Sequence, residues 1–367
     1  MILRVSLLAA VIGLLVAGPA SANDSAAHKN DFGTWSFQLE NDLFAGADRH
    51  YTNGLRVSWL SPDGDTVEWL DLARDALESI ALDEDNLSRG NKQVRFGVSL
   101  GQDIYTPEDR ARTDVILDDR PYAGWLYGAA ALHTITDHGM LDSTKTGLKD
   151  LESVELQIGM VGPWALGEQA QNLIHELRLI DTFKGWDNQI NNEPGIMLLY
   201  ERKWRLAPPT PVLGSSDPAW SGLEIDFIPS VGASLGNVIT EARTGGAVRL
   251  GWNIPENFGP PSLIQGGASF HEWGAATDGS FTDVSVYLFA TAEGRYVARN
   301  IFLDGNTFED SHSLHKRHWV GDLSLGLSVL LGPVNVSYAS AFRTREFDGQ
   351  DRLNRFGSVT LTWQATF

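Results

Sequence analysis

The chain closes on an alternation. Apolar Val359, Leu361, Trp363, Ala365 and Phe367 interleave with small or polar Ser358, Thr360, Thr362, Gln364 and Thr366. A period of two gives a β-strand one apolar and one polar face. A soluble sandwich also contains such strands, so the other end of the chain has to discriminate. Met1–Ala22 carries one cation, Arg4, then the apolar run Val5–Val16, then Pro19-Ala20-Ser21-Ala22. That order describes a secretory signal cut after Ala22, with an apolar run too short to span a bilayer comfortably. No later run has the length and apolarity of a spanning helix. An exported chain of alternating strands with a terminal Phe predicts an outer-membrane β-barrel: residues 1–22 as signal peptide and 23–367 as one barrel domain.

The formal net charge of −19 argues against nucleic acid as a partner, because phosphate binding needs a basic surface. Acidic loops suit a barrel facing anionic glycolipid bridged by divalent cations. The absence of cysteine excludes disulfides and thiol chemistry. Gly 37, Trp 12 and Phe 16 suit tight turns, strands and aromatic girdles.

Alternating segments occur at Thr34–Asn41, Asn53–Ser61, Gln93–Ile104, Gly124–Thr134, Glu152–Met160 and Pro194–Trp204. They continue at Gly222–Ser234, Gly246–Asn253, Asp283–Ala298, Trp319–Leu331, Val334–Phe347 and the C-terminal strand. The fold expected is therefore all-β, a 12-stranded antiparallel transmembrane barrel with a short helix in an extracellular loop. Glu155, Glu224, Asp226 and Asp322 would line the lumen. With both termini periplasmic, odd strands run outward, and Leu331-Gly332-Pro333-Val334 is a periplasmic turn. Leu70, Ala73, Leu77 and Ile80 recur at helical spacing within Asp63–Asn91, predicting a short amphipathic helix beneath the barrel.

Three segments exceed what barrel building needs, and the strand directions put all three at the outer rim. The first runs from Glu40-Asn41-Asp42 to Tyr51-Thr52-Asn53-Gly54. The second runs from Gln102-Asp103-Ile104-Tyr105 through Arg110 and Arg112 to Asp119-Arg120-Pro121-Tyr122. The third holds Gln171-Asn172-Leu173-Ile174-His175, then Asp181 and Trp186-Asp187-Asn188-Gln189-Ile190. Gly97-Val98-Ser99-Leu100-Gly101 matches a hydrolase elbow in letters only, since that elbow needs a strand-to-helix turn and Ser99 lies within a strand.

In order and spacing these segments resemble the lipid A 3′-O-deacylases of Gram-negative outer membranes, the LpxR family, across nearly the whole mature chain. The match is carried by Asn-Asp, Tyr-Thr-x-Gly, Gln-Asp-Ile-Tyr-x-Pro and Gln-Asn-x-x-His followed by Trp-x-x-Gln-Ile. The resemblance implies a Ca²⁺-dependent ester hydrolase acting on the 3′-linked acyloxyacyl chain of lipid A, located in the outer membrane and monomeric. It implies that His175 is the general base, that Asn41 and Asp42 bind or orient the cation, and that Thr52 helps hold the oxyanion. Asp181 stands where the family usually has Glu. Arg110 or Arg112 stands near a family Lys-Arg pair that grips substrate phosphate, although the Lys is absent. An unperturbed imidazole titrates near ~6.5, as a base acting at neutral pH requires. Calcium prefers such hard oxygen ligands. Two other readings keep the barrel: a phospholipase on the same scaffold, and a non-catalytic porin whose rim only gathers cations.

Overall fold

A computed structural model of the chain describes residues 31–42, 50–62, 92–138, 148–178, 182–213, 222–260 and 284–366. The signal segment and the predicted helix within Asp63–Asn91 lie outside them. The strands are β1 (Asp31–Asn41), β2 (His50–Leu60), β3 (Lys92–Thr106), β4 (Ala123–Asp137), β5 (Lys149–Val161) and β6 (Glu193–Arg205). They continue with β7 (Thr210–Leu213), β8 (Leu223–Gly236), β9 (Ile239–Trp252), β10 (Val284–Asn300), β11 (Trp319–Leu331), β12 (Val334–Arg343) and β13 (Asn354–Thr366). Every neighbour pair is antiparallel. The sheet closes because β1 pairs with β13 and β6 pairs with β8. β7 pairs only with β8, so it rides outside a closed barrel of twelve strands.

The observed strands overrun most sequence-based bounds because ladder pairing continues past the alternating core. Two bounds moved for local reasons. β9 begins at Ile239 rather than Gly246, because Gly245 sits mid-strand, where a Cβ would come within 2.3 Å of the Ala292 carbonyl oxygen. β12 stops at Arg343 rather than Phe347, because the next ladder bond is diverted: the Gly321 N–H donates to the Thr344 hydroxyl at 2.8 Å instead of to a backbone carbonyl.

Alternation decides which residues face where. Phe37, Leu39, Leu55, Leu156, Ile158, Leu198, Leu288 and Leu325 are exposed on the outer face, as a lipid-contacting belt requires. At its periplasmic edge, Trp35 is flanked across the ladder by Trp59 and Trp363. At the opposite edge Tyr296 and Trp319 pair, with ring centroids 5.1 Å apart. These are the two aromatic girdles of a membrane barrel.

The inner face is polar and paired. Arg56 donates to both carboxylate oxygens of Glu155 at 2.9 and 3.0 Å. Arg295 links Glu241 and Asp322, each at 2.8 Å, and Arg343 joins the same Asp322 at 2.6 Å. Arg249 pairs with Asp226, while Glu224 accepts from the Ile254 N–H at 2.8 Å. The four expected lumen carboxylates are therefore tied to groups inside the barrel. Nearer the outer end, Tyr105, Trp125, Tyr127, Met197, Leu199, Ile239, Phe302 and Phe356 form a buried apolar layer. These residues come from β3, β4, β6, β9, β13 and the turn after β10, so the layer bridges facing walls of the lumen.

Above that layer the outer loops knit together. Arg120, in the β3–β4 loop, reaches Glu346 in the β12–β13 loop at 2.9 Å. Its guanidinium lies 5.6 Å from the Tyr105 ring and 5.7 Å from the Phe347 ring. Burial pushes the Glu346 carboxyl up, but Arg120 and Arg343 pull it back, and the net position is below its ordinary value.

Candidate active site

A single row of paired residues crosses four strands at the outer rim: Asn41 on β1, Asn53 on β2, Ile104 on β3 and Gly124 on β4. Directly opposed residues share a face. Leu39 and Leu55 stand opposite each other two residues down from Asn41 and Asn53, and both are exposed to lipid. The row therefore belongs to the outer wall, not to the lumen. Yet Asn41, Asn53 and Ile104 are buried, Ile104 completely.

The β5–β6 loop covers Ile104 and Gly124. It contains helix α1 (Gly167–Arg178), the helix expected in an extracellular loop. Gly162 and Leu166 adopt left-handed backbone (φ 89° and 58°) and fold the loop back over the wall. Gln102 Nε2–H then donates to the Ala165 carbonyl at 2.6 Å. Gly124 permits the close approach, since a Cβ there would lie 3.0 Å from the Ala165 Cβ and 3.3 Å from the Gly167 backbone.

Helix α1 turns Gln171 and His175, four residues apart and so on one face, toward this wall. His175 is 2 % exposed. After the helix the chain returns, and Phe183 sets its ring 5.6 Å from the imidazole. Phe183 belongs to a buried cluster with Ile104, Tyr122 and Trp186. Trp186 Nε1–H donates to Gln171 Oε1 at 2.9 Å, which fixes that amide. Burial pushes the Tyr122 hydroxyl up to about 12, so it stays protonated. The chain of contact runs from His175 through Phe183 to Ile104, the residue paired with Asn53. His175 and Asn41 are thus linked along the outer wall only in steps, through Phe183, the Ile104 cluster and the Asn53 pair.

Asp42 follows Asn41 and is fully buried. Thr52 falls where the β2–β3 register slips between Tyr51 and Asn53, at a β-bulge, a device that re-aims side chains near active sites. Asp181 lies outside the described residues. Helix α1 ends before it, at Arg178. Arg110 and Arg112 lie in the β3–β4 loop, which packs against the returning limb of the β5–β6 loop. The Arg110 carbonyl accepts from the Lys184 N–H at 3.0 Å, and the Thr113 carbonyl accepts from Asn188 Nδ2 at 2.8 Å. The Arg112 side chain is engaged by Asp114, Nε to Oδ1 at 3.1 Å, in an exposed pair screened by water.

The contacts that hold the site together gave little sequence signal. Ile104 looks like any strand residue, and Phe183 like any loop aromatic. Only the covering loop shows why an outward position carries no lipid contact.

A family model described as outer membrane protein LpxR matches residues 7–365. The chain belongs to that family. Among solved structures, LpxR from Salmonella typhimurium is similar over 90 % of this chain and 100 % of its own, with a TM-score of 0.64 and 21 % identity. A fainter likeness, TM-score 0.42 at 9 % identity, links it to the β domain of the Bordetella autotransporter BrkA over 91 % of this chain and 99 % of that one. No curated protein matches the sequence. As an LpxR-family protein the chain is an outer-membrane barrel, and helix α1 lies against the outer end of its wall.

Proposed function

We propose that this LpxR-family barrel is a lipid A deacylase that hydrolyses the ester of the 3′-linked acyloxyacyl chain. The observation that carries the reading is the position of His175 between α1 and the outer wall. A substrate there arrives sideways from the leaflet, with no route through the lumen. The covering loop exposes Trp164, Leu166 and Leu173, side chains suited to the headgroup boundary. A membrane glycolipid whose ester lies just below its headgroup fits that height.

The chemistry follows from the residues. His175 takes a proton from the attacking water and returns it to the leaving alkoxide, the task of an imidazole near neutral pH. Phe183 holds the ring and keeps bulk water from it. Asn41 and Asp42 fit a hard cation by donor type, offering amide and carboxylate oxygens from buried positions. Amide oxygens, which calcium accepts alongside carboxylates, join the set. Ca²⁺ held there would supply positive charge to the ester carbonyl and its developing oxyanion. Thr52, at the bulge, adds a hydroxyl to that side. Asp181 orients His175, and Arg110, with Arg112 at the margin, meets substrate phosphate. The enzyme works as a monomer in the outer membrane after removal of residues 1–22.

The test is mass spectrometry of lipid A incubated with the detergent-folded protein, with calcium and then with chelator. Release of one acyloxyacyl unit that chelation abolishes is the expected result. Fatty acid released from phospholipid but not from lipid A would replace this reading with the phospholipase.

A further inference from the structure

We infer that Asn53 is a third oxygen ligand of the cation site formed by Asn41 and Asp42. The inference rests on the proposal that this pair holds Ca²⁺ and adds a residue from the neighbouring strand.

Asn53 is the direct cross-strand partner of Asn41 on the outward face. Such pairs hold their Cβ atoms ~4.5–5.5 Å apart. At that spacing both amide oxygens reach one ion whose oxygen ligands lie at ~2.3–2.6 Å. Asn53 is buried, and its Oδ1 accepts no hydrogen bond among the described residues. A buried amide oxygen with no donor is costly to keep. Its other row neighbour, Ile104, is apolar and offers none. The bulge at Thr52 immediately precedes Asn53, bending β2 at the level of Asp42. Two amides and a carboxylate, with no imidazole or thiolate in the row, suit calcium rather than zinc.

The full chain, folded in detergent, is titrated with calcium by calorimetry, and each variant's barrel is checked by its heat-dependent gel migration. Asn53→Ala is expected to weaken calcium binding by about tenfold or more, the scale on which metal sites respond to lost partners. Asn53→Asp is expected to keep or tighten binding, since a carboxylate restores the oxygen with added charge. Unchanged affinity in folded Asn53→Ala overturns the assignment. If Asn53→Ala does not fold, Asn53→Asp decides, and weaker binding there overturns it. Asp42→Asn separates the two ideas. If Asp42→Asn weakens binding and Asn53→Ala does not, the calcium reading stands and only the role of Asn53 falls. If the wild type takes up no calcium, both fall.

Discussion

The ring of Phe183 lies 5.6 Å from the imidazole of His175, although a turn of chain separates them from a common element. That contact ties the helix to the wall, because Phe183 also packs with Ile104 and Tyr122. The histidine is held in register with the barrel by aromatic packing, not by helix propensity.

Replacing the proposed base tests the chemistry alone. His175→Ala is expected to lower turnover by about 10²–10⁴-fold, while the barrel keeps its heat-dependent gel migration. His315 is the proper control, because its side chain is 88 % exposed and, among the described residues, pairs with Asp348 in the outer loops. His133 is a poor one, being buried and bonded to Ser153 Oγ at 2.7 Å. A His175→Ala enzyme that keeps most of its rate defeats the mechanism.

The docking of α1 depends on Gly124. Gly124→Val pushes methyl groups into Ala165 and the Gly167 backbone, which already sit 3.0–3.3 Å from a modest Cβ. The helix has to lift from the wall, and a misplacement of ~1 Å costs about 10²-fold in rate. Activity should fall on that scale with the barrel's β-rich circular dichroism intact. Wild-type kinetics in Gly124→Val would show that the helix need not touch the wall.

Acid should loosen the rim. Because Glu346 sits below its ordinary value in the folded protein, its contribution is present above the unfolded carboxylate value and is lost as pH falls through the folded one. Limited proteolysis of the β12–β13 loop should therefore speed up on acidification below the usual carboxylate range. Glu346→Gln should show the loosened rim already at neutral pH, since it leaves Arg120 buried without its charge partner, a loss of ~3–5 kcal/mol. Identical digestion of both proteins at pH 7 counts against the pairing.

The lumen should not conduct. Arg343, Asp322, Arg295 and Glu241 are joined in series inside the barrel, under the apolar layer of Trp125, Phe302 and Phe356. In planar bilayers the protein is expected to give no steady conductance. Discrete open-channel steps would revive the porin.

Much of this was legible in the chain. Period-two alternation located all twelve barrel strands, because lipid on one side and a polar lumen on the other enforce it. β7 was not legible: all four of its residues are exposed, and Pro211 interrupts any pattern. The motif residues Asn41, Asp42, Thr52 and His175 could be read, but not the face they occupy. Alternation assigns Asn53 and Ile104 to the outer wall, and nothing local says that the β5–β6 loop, two strands further along the chain, covers Ile104. The Arg120–Glu346 latch joins residues 226 apart and leaves no periodic trace.

The filled bore has a consequence for the cell. A membrane crowded with open barrels leaks antibiotics and bile salts, so its owner has to ration them. A barrel stoppered by its own side chains carries no such burden, and its copy number can rise without weakening the envelope as a sieve.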